Sequence, residues 1–294
     1  MLTTVLSTIP QPPVDEPIPK LPENIFTAFL FLPLGAAIAV ALRRILKGKG
    51  PILLYCLIGG VFAASFEPIV DVLGLVYLKE INAFSTFTIL DRTMPLYIVM
   101  VYPWYVGGLG YVAYKMYSRG VTMRDLFILW AIDAVINVCL ETPGILMGVY
   151  LYYGQQPLNI WGLPLWWPIV NPLMPMIAGA VIYKLRPFLN TNWKLLAVIP
   201  VVPMADGAAN GAAAWPIWAA LNQDDVSYVW THLAAAATLG LALFTVWIIG
   251  LAVAKKPEEI GNESLMRRMG SIGLMSSPDT PVATGPGGAT KIGA

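Results

Sequence analysis

The chain has 294 residues, of which 57% are hydrophobic and only 12% charged, with a formal net charge of +1. Soluble domains carry about 25% charged residues, so this composition excludes an ordinary soluble globular domain and points to a membrane protein. Two cysteines in apolar runs, Cys56 and Cys139, read as buried free thiols, and one histidine, His232, is too few for an imidazole-built metal site. No metal, cofactor or nucleic-acid partner is expected.

Residues 1–24 lack the basic start and small-residue cleavage site of a signal peptide and read as a retained Pro-rich tail. Seven apolar segments follow, near 25–46, 51–78, 94–117, 125–150, 164–185, 194–220 and 228–254, each long enough for a crossing of about 20 residues. The expected fold is therefore all-α: a polytopic membrane protein with a seven-helix domain over 25–254. Pro and Gly interrupt several segments, which membrane helices tolerate when neighbours re-satisfy the backbone.

Fifteen of the eighteen Lys and Arg fall after odd-numbered spans: Arg43, Arg44, Lys47 and Lys49; Lys115, Arg119 and Arg124; Lys184, Arg186 and Lys194; Lys255, Lys256, Arg267, Arg268 and Lys291. Lys20, Lys79 and Arg92 fall on the other side. The positive-inside rule then predicts an outer or lumenal amino terminus and a cytoplasmic carboxyl terminus. The host membrane would be the plasma membrane in a bacterium or the endoplasmic reticulum in a eukaryote. Of the outer loops, 79–93 suits a short amphipathic interfacial segment. Residues 152–168 carry three Trp and two Tyr, either as an aromatic belt or as a lid over a pocket. Residues 255–294, rich in Gly, Ser, Pro and Thr, read as a disordered cytoplasmic tail. No internal repeat is evident.

Carboxylates inside these apolar segments carry the chemistry: Glu67, Asp71, Asp133, Glu141 and Asp206, with Asp91 at a boundary beside Arg92. An ionised group at the bilayer centre costs about 2.5–3.5 kcal/mol on insertion scales, so such acids are expected to face a protein interior. Helical spacing aligns Glu67 with Asp71, Asp133 with Asn137 and Glu141, and Asp206 with Asn210, while Asn171 lies in the fifth span. Four polar stripes should converge on one cavity. At 1.5 Å per residue, Asp133 lies about 12 Å from the cytoplasmic end, Asp206 about 18 Å, Glu67 and Glu141 about 24 Å and Asp71 about 30 Å. Trp104 and Trp215 sit at depths suited to walling that cavity. With no buried cation beside them, several acids together cannot all ionise, so at least one is expected to stay a neutral Brønsted acid while another stabilises positive charge.

Two contexts leave room for a ligand: Ala63-Ala64-Ser65-Phe66-Glu67-Pro68 and Met204-Ala205-Asp206-Gly207-Ala208-Ala209-Asn210. With these two acids on an early and a late span, the chain resembles the small seven-helix integral-membrane terpene cyclases of meroterpenoid and indole-terpenoid pathways. The resemblance covers roughly 25–254 and implies acid-triggered cyclisation of an epoxidised prenyl chain. It also implies Glu67 as proton donor and Asp206 as second catalytic carboxylate. The long tails and the extra acids Asp133 and Glu141 depart from that pattern, and Glu141 is read as a cation stabiliser or base. Glu141-Thr142-Pro143-Gly144, Tyr150-Leu151-Tyr152-Tyr153-Gly154 and Pro164-Leu165-Trp166-Trp167-Pro168 are similar to the carotenoid hydratase and cyclase group, which also implies an isoprenoid.

The expected activity is cofactor-independent cyclisation or isomerisation of a lipophilic substrate, of the lyase or isomerase type. Asp133, Asn137, Asn171, Asn210, Trp104 and Trp215 are the expected binding residues. The competing reading is proton- or cation-coupled transport through the same acids. The seventh span has no Lys for a retinal Schiff base. A prenyltransferase would need Asp-rich Mg²⁺–diphosphate sites with basic partners at the aqueous face, which Asp133 to Glu141 do not provide.

Overall fold

The computed structural model describes residues 10–261 and 264–270. Seven helical runs are long and apolar enough to cross a membrane: Lys20–Leu46, Ile52–Gly74, Leu96–Arg119, Met123–Leu146, Trp166–Leu185, Lys194–Ala213 and Tyr228–Val253. They are taken in order as the first to seventh spans. The second, third, fifth and sixth pack closely on one another, and the first, fourth and seventh flank them. Burial follows that order: 67% of the apolar window of the fifth span is buried, against 17% of the first. Phe29, Leu32 and Leu42 of the first span, Val135 of the fourth and Leu251 of the seventh point outward, an apolar exterior suited to lipid.

Small residues set the closest approaches. A Cβ on Gly107 would overlap the Cys56 carbonyl, and one on Gly60 would come within 2.7 Å of the Tyr102 carbonyl oxygen. The second and third spans therefore meet backbone to backbone, as helices packed in lipid commonly do.

Three spans change helix type or break beside a proline, which lacks the N–H that continues a helix. The second tightens to a 3₁₀ turn over Ala64–Phe66 before Glu67-Pro68. The third widens to a π segment over Pro103–Gly108. Pro143 lies in the fourth and Pro203 in the sixth, and the fifth is interrupted at Asn171-Pro172.

Short strands roof one end of the bundle. β1 (Val76–Leu78) pairs antiparallel with β4 (Tyr150–Tyr152), joining the loops after the second and fourth spans. β2 (Ser85–Ile89) and β3 (Arg92–Pro95) form a hairpin, as do β5 (Asn159–Ile160) and β6 (Leu163–Pro164). The first hairpin takes up much of the segment 79–93, for which a short amphipathic stretch is expected. Its turn places Leu90 and Asp91 at φ 54° and 55°, and its run of Thr and aromatic side chains favours a pleated surface. The first span begins at Lys20, not 25, and is anchored to this roof. Glu23, fully buried, accepts from Lys20 Nζ at 2.8 Å and from the Phe84 N–H at 2.7 Å. Residues 1–9 lie outside the described residues.

The opposite end carries the basic residues. Part of the tail expected to be disordered is ordered there: Pro257–Ile260 and Leu265–Gly270 are helical. Arg268 is buried and donates to the Gly120 carbonyl and to Asp125 Oδ2, each at 2.8 Å. Two convergent acceptors, one of them charged, give a guanidinium reason to leave water. Residues 262–263 and 271–294 lie outside the described residues.

Candidate functional site

Beneath the strand roof lies a cavity with about 680 Å³ of non-atom space, including its mouth. The first span contributes Phe26 and Leu30, the second Glu67 and Val70, and β1 Val76 and Leu78. Tyr97, Ile98, Val101, Tyr102 and Tyr105 come from the third span, and Asn137, Leu140 and Glu141 from the fourth. Tyr150 and Tyr152 of β4, Trp167, Asn171 and Met174 of the fifth span and Asn210 of the sixth complete the lining. No Lys, Arg or His lines it.

Prolines stand close to several of the polar groups that line this space. Glu67 precedes Pro68 at the 3₁₀ break, and Tyr102 precedes Pro103 at the π segment. The two meet across the second and third spans, where the Tyr102 hydroxyl donates to Glu67 Oε2. Glu141 lies two residues before Pro143, and its Oε2 accepts from the hydroxyls of Tyr150 at 2.6 Å and Tyr152 at 3.3 Å. Asn171, at the break in the fifth span, donates to Asn137 Oδ1 at 3.2 Å. Glu67 and Glu141 lie within each other's electrostatic range. Burial, and then the charge of Glu141, hold the Tyr150 and Tyr152 phenols well above the usual tyrosine range, so both remain hydrogen-bond donors. Aromatic faces enclose the rest: Tyr152 meets Trp167 edge-on at 5.6 Å, and Phe26 meets Tyr97 edge-on at 5.4 Å.

Glu67, Glu141, Asn137, Asn171 and Asn210 thus come together on one wall system. Four other expected site residues stand elsewhere. Asp206 is fully buried behind Asn210, whose Nδ2 donates to Asp206 Oδ1 at 2.9 Å; it remains within electrostatic range of Glu67 but does not line the cavity. Asp133 does not line the cavity: it opens on an apolar groove with Leu109, Val112, Ile132, Ile136, Met176 and Met269, and lies beside Tyr105, which does line the cavity. Eight residues of helix rotate a side chain about 80° beyond two full turns, so a stripe of i, i+4, i+8 drifts away from the face that Glu141 uses. Trp104 packs edge-on against Tyr105 at 5.9 Å, outside the lining. Trp215 is 56% exposed, because the short helix Trp215–Leu221 turns Pro216, Ile217, Ala220 and Leu221 inward instead.

Helical spacing does not single out the tyrosines, although the sequence carries one signal. Tyr150 and Tyr152 are two residues apart in an extended segment and so share a face. Asp71 is 1% exposed, and neither of its carboxylate oxygens has a hydrogen-bond partner. Cys139 is exposed, not buried. Among the described residues no three His, Cys, Asp or Glu gather as metal ligands.

Fold and site together define a helical bundle with seven membrane-length apolar helices and a carboxylate–tyrosine cavity under a strand roof. Comparison with protein-family models, with curated proteins and with solved structures finds no match for the chain.

Proposed function

We propose that the chain is a membrane-embedded, cofactor-independent acid–base catalyst that cyclises or isomerises an isoprenoid-derived lipophilic substrate. The observation that carries this reading is the pairing of two carboxylates with phenols, Glu67 with Tyr102 and Glu141 with Tyr150 and Tyr152, in an aromatic cavity lined by no cationic side chain. Glu67 donates a proton to an alkene or epoxide. The resulting cation is stabilised by aromatic faces and by the negative charge of Glu141, which then accepts a proton from a neighbouring carbon. One proton enters and one leaves, so substrate and product have the same mass. Asp206 acts from behind the wall, fixing the Asn210 amide. The roof excludes water that would quench the cation.

By the positive-inside rule the roofed end faces away from the cytoplasm, which places the amino terminus outside or in the lumen. The protein would then reside in the plasma membrane of a bacterium or the endoplasmic reticulum of a eukaryote, drawing its substrate from the bilayer.

Mass spectrometry of lipid extracts from cells with and without the gene tests this reading. A gene-dependent isomer pair is expected, and Glu67→Gln should remove the product while the protein still inserts. Turnover that survives in both Glu67→Gln and Glu141→Gln overturns the assignment. Solute accumulation or current in proteoliposomes, without any product, replaces it with proton- or cation-coupled transport.

A further inference from the structure

At the basic end of the bundle a second cavity, with about 1270 Å³ of non-atom space including its open side, lies between the start of the fourth span, the end of the seventh and the helix Leu265–Gly270. Four cations line it, Arg124, Lys255, Lys256 and Arg268, against one acid, Asp125. Asp125 and Arg268 are engaged with each other at 2.8 Å. Among the described ion pairs none engages Arg124, Lys255 or Lys256, and Glu258 and Glu259 nearby are exposed and do not line the space. Among the described residues the lining therefore keeps three positive charges without an ion-pair partner.

The walls are built rather than incidental. The Lys255 N–H donates to the Val121 carbonyl at 2.8 Å, tying the end of the seventh span to the turn before the fourth. Arg268 ties the helix Leu265–Gly270 to the same turn through Gly120 and to the fourth span through Asp125. Thr122 and Asp125 cap each other at the start of the fourth span, so the first-turn donors are partly used internally and the cations are left to do the recognition. One side is apolar and continues onto Leu251, which is 62% exposed on the seventh span. Cations beside outward-facing apolar surface match a molecule that is anionic at one end and hydrocarbon at the other.

We propose that this cavity binds the headgroup phosphate of an anionic phospholipid, whose acyl chains run along the seventh span past Leu251. The proposal is independent of the chemistry assigned to the roofed cavity.

The test uses the full-length protein in a neutral detergent, with melting temperature and native mass spectrometry as readouts. The probes are phosphatidylglycerol, phosphatidylcholine and inorganic phosphate. Phosphatidylglycerol is expected to raise the melting temperature and stay bound, while phosphatidylcholine does neither. Lys255→Gln with Lys256→Gln should weaken phosphatidylglycerol binding roughly 25-fold, about fivefold per cation removed. Lys47→Gln with Lys49→Gln, at the same end but outside the cavity, should leave binding unchanged. If the double variant fails to accumulate, Lys256→Gln alone, at an exposed position, should show the fivefold step. Equal binding of phosphatidylcholine, undiminished binding in the lysine variants, or equal weakening by the Lys47 and Lys49 pair overturns the proposal. Stabilisation by inorganic phosphate equal to that by phosphatidylglycerol overturns the lipid assignment in favour of a free-anion site.

Discussion

The Tyr150 hydroxyl is shared between two acceptors on one residue, the Glu141 carboxylate at 2.6 Å and the Glu141 backbone carbonyl at 2.9 Å. The roof strand is thereby stitched to the fourth span at the carboxylate itself. Roof placement and the orientation of Glu141 are consequently one structural event. Tyr150→Phe should cut product formation about 10- to 100-fold, the range expected for a hydrogen bond to a charged group worth about 1.5–3 kcal/mol. Turnover in membranes checks this, with thermal melting run alongside to show that the fold persists.

Tyr150 and Tyr152 also make a prediction about alkaline pH. Both phenols are raised well above the usual tyrosine value of 10.0, chiefly by burial. A raised folded value means that the folded state holds the proton more tightly than the unfolded chain. The resulting stability is fully present below about pH 10 and is lost as pH rises from there towards the folded values. Phenolate absorbance of the native protein through pH 11 should therefore be the same in wild type, Tyr150→Phe and Tyr152→Phe. A drop in phenolate signal in either variant would show that the residue titrates normally.

Gly107 lies against the Cys56 carbonyl, on the face that brings Tyr102 to Glu67. Gly107→Val should separate the second and third spans, costing about 1–3 kcal/mol from overpacking and displacing the phenol from the carboxylate. Gly211→Ala, where an added Cβ meets no atom within 4 Å, should be silent. Melting temperatures of the two variants in detergent provide the comparison.

Two buried acids should respond in opposite directions to neutralisation. Glu23 holds an ion pair and a backbone N–H, so Glu23→Gln should cost about 1–3 kcal/mol and loosen the roof hairpin. Asp71 is equally buried but neither oxygen has a partner, so Asp71→Asn breaks no hydrogen bond and should hold or raise stability by about 1 kcal/mol. Parallel melts of both variants decide the matter.

Sequence alone determined the membrane-length helices, because crossing a bilayer demands about 20 apolar residues and leaves an unmistakable compositional trace. The prolines beside Glu67, Glu141 and Asn171 were legible for the same local reason. Local spacing could not say which face of each span meets which neighbour. That choice rests on contacts between distant segments, such as Gly107 against Cys56 and β1 against β4. Tertiary structure therefore decided that Asp133 leaves the cavity, that Asp206 stands behind Asn210, and that Trp215 faces outward. It also supplied the partners that give Glu67 and Glu141 their setting, since a phenol 35 residues away or across a returning strand leaves no periodic signal in the chain.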